Sequence, residues 1–317
     1  MVGMNKVSHA ARVAAAGLAL SLLLTTCEPL ALRDLAEKLA QGGAKHVYFT
    51  DRGTGKFYRS ELDGANRVEL FTRGNPAMLA VDPVARKLCW TNVPDPTGKW
   101  EVLISNLDGS DIRTLYEESI ATRIPRGISA NPASDSLFWA ASADPVRTVY
   151  TQSFTATETA LPTDVSVVDT EDICYSPALD RIFIADLSGS QLHRIRTNGA
   201  LEVSVDVSAF GTGTPRNIAV DGENGFVYWS DDISDLGDGL IGRCDTDLSP
   251  GSMVTFIPTG VAGSPRQLVV DPEEGYLFWS DDESGTIKRA NLDGTGIVTI
   301  ASGLTKARGI ALDPVRR

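Results

Sequence analysis

The chain has 317 residues, 42% of them hydrophobic and 22% charged, a globular make-up that excludes a disordered chain. Its formal charge is −12; Lys6 and Arg12 are the only charges in the first 26 residues, so the remainder sets 27 basic against 41 acidic residues, a net of −14. An acidic body of this kind repels phosphate backbones and argues against nucleic acid as a partner, while fitting an exported protein kept soluble by its charge.

The N-terminus reads as an address. Lys6 and Arg12 precede an apolar run from Val13 to Leu24, the length of a signal-peptide core and short for a bilayer span. The run ends in LTTC, residues 24–27. A Leu three residues before a Cys, with small residues between, resembles the lipobox of bacterial lipoproteins; Thr26 departs from the Gly or Ala usual there. The resemblance implies a signal peptide over 1–26, lipidation at Cys27, and a place in a bacterial envelope, periplasmic or surface. The alternative is an ordinary secretory signal with an unrelated Cys. Leu32, Leu35 and Leu39 then fall at helical spacing, and Gly42 and Gly43 stop the helix, so 27–45 reads as a lipid-anchor Cys and a short helical tether.

From residue 46 the chain repeats itself. VYFTD (47–51), LCWTN (88–92), LFWAA (137–141), IFIAD (182–186), VYWSDD (227–232) and LFWSDD (277–282) are versions of one segment. Aligning Phe49, Trp90, Trp139, Ile184, Trp229 and Trp279 gives steps of 41, 49, 45, 45 and 50 residues, the period of propeller blades or of helical arrays. Local pattern chooses between them. Residues 215–247 begin with a β-type run, turn through Asp221, Gly222, Asn224 and Gly225, and run into an aromatic, β-branched second strand, Phe226 to Ser230. A Gly-containing loop, a third strand near Leu240 to Asp245 and a fourth near Met253 to Ile257 follow. Four short strands with turn chemistry between them are a propeller blade.

A leading strand recurs too, as PAMLAVDP (76–83), PRGISANP (125–132), EDICYSPA (171–178), PRNIAVDG (215–222), PRQLVVDP (265–272) and ARGIALDP (307–314). So does a third strand with an Asp-Gly turn, in RSELDGAN (59–66), ISNLDGSD (104–111) and KRANLDGT (288–295). Together these motifs resemble the YWTD repeats of low-density-lipoprotein-receptor-type proteins over roughly residues 46–314. LFWAA lacks the acid and IFIAD lacks the Trp. The first unit has no leading strand and the chain stops just after an unpaired one, so the two ends complete one blade. The expected fold is all-β, a six-bladed propeller of four-stranded blades over 46–317, closed by pairing of the C-terminal strand with the N-terminal ones.

The acids that end these strands recur in nearly every unit, which suits loop-fixing hydrogen bonds better than catalysis. Cys89, Cys174 and Cys244 fall in different units and read as small buried hydrophobes without disulfides or zinc. His193 has no nucleophile elbow near it and reads as a packing residue. The loop DDISDLGDG (231–239) lacks calcium-loop spacing and reads as solvated.

Two sets of residues remain. Aligned leading strands bring Arg126, Arg216, Arg266 and Arg308 to one end of the ring, a cationic rim suited to carboxylate or phosphate. One position later stand Asp172, Asn217 and Gln267, which with Glu171 offer oxygen donors to Ca²⁺. A site of that general kind is similar to that of six-bladed calcium-dependent lactonases. Trp100, Tyr116 and Phe210, read as loop aromatics, are contact anchors. YWTD propellers serve as binding platforms in larger receptors, but this chain has no Cys-rich companion modules. Three readings stay open. The first is a monomeric, lipid-anchored binder of a protein or glycan at the envelope, with no cofactor expected. The second is a calcium-dependent hydrolase of the lactonase sort. The third is a scaffold without a discrete ligand.

Overall fold

The computed structural model describes residues 45–94, 98–119, 124–142, 148–161, 169–231 and 239–315. The expected signal peptide, Cys27 and nearly all of the tether lie outside the described residues, as does most of the 231–239 loop. Among the described residues there are twenty-four strands and a single 3₁₀ turn, Pro250–Ser252. In chain order the strands are β1 (His46–Asp51), β2 (Lys56–Glu61), β3 (Val68–Thr72), β4 (Pro76–Asp82), β5 (Lys87–Asn92), β6 (Trp100–Asn106), β7 (Arg113–Glu118), β8 (Ile124–Asn131), β9 (Ser136–Ser142), β10 (Thr148–Ser153), β11 (Thr159–Ala160) and β12 (Thr170–Ser176). They continue with β13 (Arg181–Asp186), β14 (Gln191–Arg196), β15 (Leu201–Asp206), β16 (Pro215–Asp221), β17 (Phe226–Asp231), β18 (Leu240–Asp245), β19 (Val254–Ile257), β20 (Pro265–Asp271), β21 (Tyr276–Asp281), β22 (Thr286–Asn291), β23 (Val298–Ala301) and β24 (Ala307–Asp313).

These strands make six four-stranded antiparallel sheets. Blades 2 to 6 take consecutive strands, starting from β4, β8, β12, β16 and β20. Blade 1 has the order β24-β1-β2-β3. The C-terminal strand thus closes the ring: His46 stands opposite Asp313 and Phe49 opposite Ile310. Each innermost strand packs against the next all the way round, β24 on β4 and β20 on β24 included.

The aromatic pair is explained by the period of two along a strand. There are six buried apolar clusters, and each lies between two neighbouring blades. In the pair Tyr228-Trp229, Trp229 joins the cluster shared with blade 4, whereas Tyr228 faces blade 6. Phe278 and Trp279 divide in the same way between blade 1 and blade 5. Trp90, Trp139, Trp229 and Trp279 are all fully buried, as are Phe49 and Ile184 at the same repeat position. Each unit therefore supplies half of two cores and is complete only between neighbours.

The Ser or Thr after the aromatic ties the inner ring together. Thr50 Oγ1 accepts a hydrogen bond from Gly309 N at 2.8 Å. Thr91 Oγ1 accepts from Met78 N in its own blade (3.2 Å) and donates to Arg126 O in the next (2.9 Å). Ser280 Oγ donates to Arg308 O of blade 1 at 2.5 Å. In blades 3 and 4, Ala140 and Ala185 hold this position and make no such bond. Ser280→Ala leaves a buried carbonyl unpaired and is expected to cost about 1–2 kcal/mol, read as a lower urea midpoint at unchanged slope. An unchanged midpoint would show that the hydroxyl carries none of the ring's stability.

The terminal acid ties loops instead. Asp51 Oδ1 accepts from Gly53 N and Lys306 N, each at 3.0 Å, and Oδ2 accepts from Thr305 N at 3.0 Å. Asp231 accepts from Thr212 N and Thr214 N, and Asp281 from Ser264 N and Ser284 N. Each acid links the loop after the second strand to the loop that enters the inner strand, so these two loop sets share one face, here called the upper face. Burial pushes both carboxyls up, but the backbone bonds hold Asp51 below the usual carboxylate range, and the Lys288 ammonium, with the Ser284 and Ser264 bonds, does the same for Asp281.

Candidate functional site

All six inner strands carry a bulge or register shift at their leading end. A bulge re-aims the side chains beside it. Here it separates two adjacent positions into two layers. The aligned position of Ala77, Arg126, Glu171, Arg216, Arg266 and Arg308 belongs to the upper rim, and the residue after it turns to the ring axis.

The rim is a set of arginines bridged by acids. Glu171 of blade 4 lies between Arg126 of blade 3 (3.8 Å) and Arg216 of blade 5 (4.0 Å). Asp282 lies between Arg266 of blade 6 (3.8 Å) and Arg308 of blade 1 (3.0 Å). Blade 2 has Ala77 at this position, and Arg52 from the upper loop of blade 1 takes its sector. Arg52 Nε donates to Asn75 Oδ1 at 2.9 Å. Burial pulls the Arg52 guanidinium below its ordinary range; Arg308 and Arg126 add repulsion, and Asp282 and Glu171 oppose it. Five guanidinium groups thus face two carboxylates around one axis, on a chain whose net charge is −12. Arg126 Nε also donates to Ser142 Oγ at 3.0 Å, and its guanidinium stands 5.9 Å from the Trp100 ring centre.

Some expected contact residues lie elsewhere. Arg266 is only 2% exposed and braces Asp282 from beneath, so it supports the rim and offers no contact surface. Tyr116 lies inside β7, not on a loop; it is buried between blades 2 and 3 with its ring 4.8 Å from that of Trp139. Phe210 packs edge-on to Trp229 at 5.9 Å, in the cluster between blades 4 and 5. Both rings complete inter-blade cores, a role that the loop-like flanking sequence hid. Trp100 is partly exposed beside Arg126. Arg52 and Asp282 were missed. Both follow the motif acid directly, and the doubled acid of LFWSDD was the visible signal.

The layer beneath closes the axis. Gln267 Nε2 donates to Leu79 O (2.7 Å), and its Oε1 accepts from Leu79 N (2.8 Å) and Ile310 N (3.0 Å). Asn217 Nδ2 reaches Met78 Sδ of the opposite blade at 3.4 Å. Asp172 Oδ2 accepts from Ile218 N at 3.2 Å, while Asp172 Oδ1 and Asn217 Oδ1 have no hydrogen-bond partner. A Cβ on Gly127 would lie 2.4 Å from Asp172 Oδ1, so only glycine leaves room for that carboxylate. Burial pushes Asp172 up to about 7.

This arrangement does not fit the expected calcium set. Glu171 belongs to the rim with the arginines, one layer away from Asp172. Gln267 uses its amide oxygen on two backbone N–H groups. Two unpartnered oxygens fall far short of the six to eight that Ca²⁺ takes. Among the described residues no three His, Cys, Asp or Glu side chains stand together as a metal site.

His193 forms a triad-like line in blade 4. Its Nδ1 is 2.7 Å from Ser204 Oγ, and its Nε2 is 3.6 Å from Asp186 Oδ2. The histidine occupies the register of Lys288 in blade 6, whose Nζ is 2.7 Å from Asp281 Oδ2. The line repeats a structural placing of a basic side chain beside the strand-end acid. His193 is 2% exposed, as a packing residue should be.

With the geometry in place, comparison with known proteins is informative. Residues 275–314 match the family model described as low-density lipoprotein receptor repeat class B. The chain is a six-bladed propeller with a class B repeat over those residues. The matched stretch runs from β21 to β24, so one sequence repeat spans the outer three strands of blade 6 and the inner strand of blade 1, the offset that lets the two ends close the ring. No curated protein matches the sequence. Among solved structures, a chain of a nidogen/laminin complex is similar at 15% identity and a TM-score of 0.68, covering 85% of this chain and 98% of that one. TolB from Acinetobacter baumannii is similar at 14% identity and 0.65, covering 99% and 74%. A streptogramin B lyase is similar at 15% and 0.58, covering 84% and 83%. At these identities the likeness is one of fold alone.

Proposed function

We propose that this class B propeller is an exported, lipid-anchored recognition protein that binds an envelope protein or glycan through its upper face. The observation that carries this reading is the arginine rim. Five guanidinium groups around one axis, with two acids bridging four of them, leave a local positive excess on an acidic molecule, which favours a partner that presents carboxylates there. The solved complex of nidogen with laminin shows that a propeller of similar fold takes part in a protein complex, which supports a protein partner. The likeness to the lyase gives no equal support to catalysis, because the polar layer lacks the donors the calcium reading needs. Export and anchoring rest on the N-terminal sequence.

Trp100 provides the test. Four of the five tryptophans are fully buried and Trp100 alone is part exposed, so iodide quenching reports on it. Titration with a poly-glutamate peptide and with an acidic polysaccharide should protect Trp100 from iodide. Arg52→Ala combined with Arg126→Ala should weaken that protection at least tenfold. Equal protection in parent and double variant would sink the reading, as would indifference to both probes.

A further inference from the structure

The opposite end of the axis carries a feature of opposite sign. Below the layer of Asp172 and Gln267 the channel widens into a cavity of about 540 Å³, a size common among small-molecule sites. Its wall is mainly apolar. Leu79, Ile128, Ile173, Ile218, Leu268 and Ile310, the residues just after the axial position in all six blades, line it. From Asp172 at the inner end to Pro177 at the mouth is five steps of extended chain, roughly 16 Å. The charged residues of the lining are one lysine, Lys45, and four acids, Asp172, Glu223, Asp271 and Glu273. Lys45 is already engaged, with Nζ 2.8 Å from both Asp271 Oδ1 and Glu273 Oε2. The lower end of the channel is therefore acidic, whereas the upper rim is cationic.

Asp172 is the unusual member of this lining. It is 1% exposed, and its Oδ1 has no hydrogen-bond partner. The adjacent Glu171 takes Arg126 and Arg216 and adds its own repulsion to the Asp172 charge. A buried carboxylate with one open oxygen calls for a cation. We propose that the cavity binds a small organic amine, with its ammonium at Asp172 and its apolar body along the six-bladed wall. Both halves of such a ligand are needed. A bare metal ion covers no apolar surface and meets too few oxygens, and a neutral hydrocarbon leaves the carboxylate unpaired. An amine with a ring and a short alkyl chain supplies N–H donors for the open oxygen and takes its own apolar surface out of water. The acids of the mouth attract a cation toward the channel. The inference is independent of the upper face, whose partner would carry the opposite charge.

Two isosteric probes test the site. Full-length protein in digitonin, a detergent too bulky for the cavity, would be titrated by calorimetry at about pH 8 with phenylbutylamine and with the neutral phenylbutanol. The parent should bind the amine at least tenfold more tightly than the alcohol, the effect of a charge-assisted bond in a dry site. Asp172→Asn keeps an oxygen for Ile218 N and removes the charge. That variant should still bind the alcohol as the parent does and lose the preference for the amine. Equal affinities in the parent would overturn the proposal, as would the absence of saturable binding by either probe. A preference that survives in Asp172→Asn would overturn it too, because the ammonium would then be held by the acids of the mouth.

Discussion

A chain that ends at Lys306 will not unfold in a cooperative transition. It lacks only β24 and the few residues after it, yet that strand belongs to two cores at once. Ala307 and Ile310 fill the cluster between blades 6 and 1, and Ala311 the cluster between blades 1 and 2. Loss of the buried Ile310 side chain alone is worth about 2–5 kcal/mol. The truncation also removes the Arg308–Asp282 and Arg86–Asp313 pairs and leaves Gln267 without Ile310 N. It bares β1 along its length as an open edge. In a linear repeat array a lost terminal unit costs only its own interface. In a ring it opens the closure, and the losses fall on a total stability of only about 5–15 kcal/mol for a typical domain. The check is a circular dichroism melt with size-exclusion chromatography. The truncated chain should melt broadly or aggregate, and a synthetic peptide of residues 307–317 added in trans should restore a sharp transition. A single sharp melt without the peptide would show that closure is dispensable.

That closure could be read from the sequence, and the reason is physical. A blade cannot bury its own faces, so every unit must repeat a large apolar pair at the same place, and six copies survive even where LCWTN has a Cys before its Trp and IFIAD has lost its Trp. The unpaired ARGIALDP strand pointed to the missing partner of β1, which it proved to be. The candidate site was legible only in part. Alignment brought Arg126, Arg216 and Arg308 to one rim, but it could not show that a bulge turns the next residue to the axis. For that reason Glu171 and Asp172, neighbours in sequence, were grouped as donors although they occupy different layers. Arg52 has no counterpart among its repeats: Val93 and Leu187 follow the motif position in blades 2 and 4. Its place in the rim is set by Asn75 at the entry to the adjacent blade, a relation between two different units. Tyr116 and Phe210 failed as contact anchors for a similar reason. Outer-strand and loop rings reach inward wherever the neighbouring blade leaves space, and sequence shows neither the space nor the reach.

The pH dependence of stability should single out Asp172. Its carboxyl is wholly enclosed, and burial raises it from 3.8 to about 7. In the unfolded chain it ionises near its ordinary value. A group raised on folding contributes its stability below the unfolded pKa and loses it as pH climbs through the folded one. Between about pH 4 and pH 7 this residue therefore works progressively against the fold. Three units at about 1.4 kcal/mol each make a penalty of about 4 kcal/mol by pH 8. Asp172→Asn removes the charge and keeps an oxygen for Ile218 N. The variant should match the parent near pH 4 and exceed it by a few kcal/mol at pH 8, measured as the difference between urea-unfolding curves. Taking the difference matters, because Asp51, Asp281 and Glu202 are lowered on folding and bend the parent curve the other way as acid is added. The same pair of proteins tests the channel for metal. If the axis held Ca²⁺, Asp172 would be an ionised ligand; millimolar Ca²⁺ would then stabilise the parent by linkage and not the variant. The geometry predicts no response to Ca²⁺ in either protein, and at pH 8 an asparagine variant that outlasts its parent. A parent more stable than Asp172→Asn at pH 8 would mean that the carboxylate is satisfied by a partner in solution, and the calcium reading would return with it.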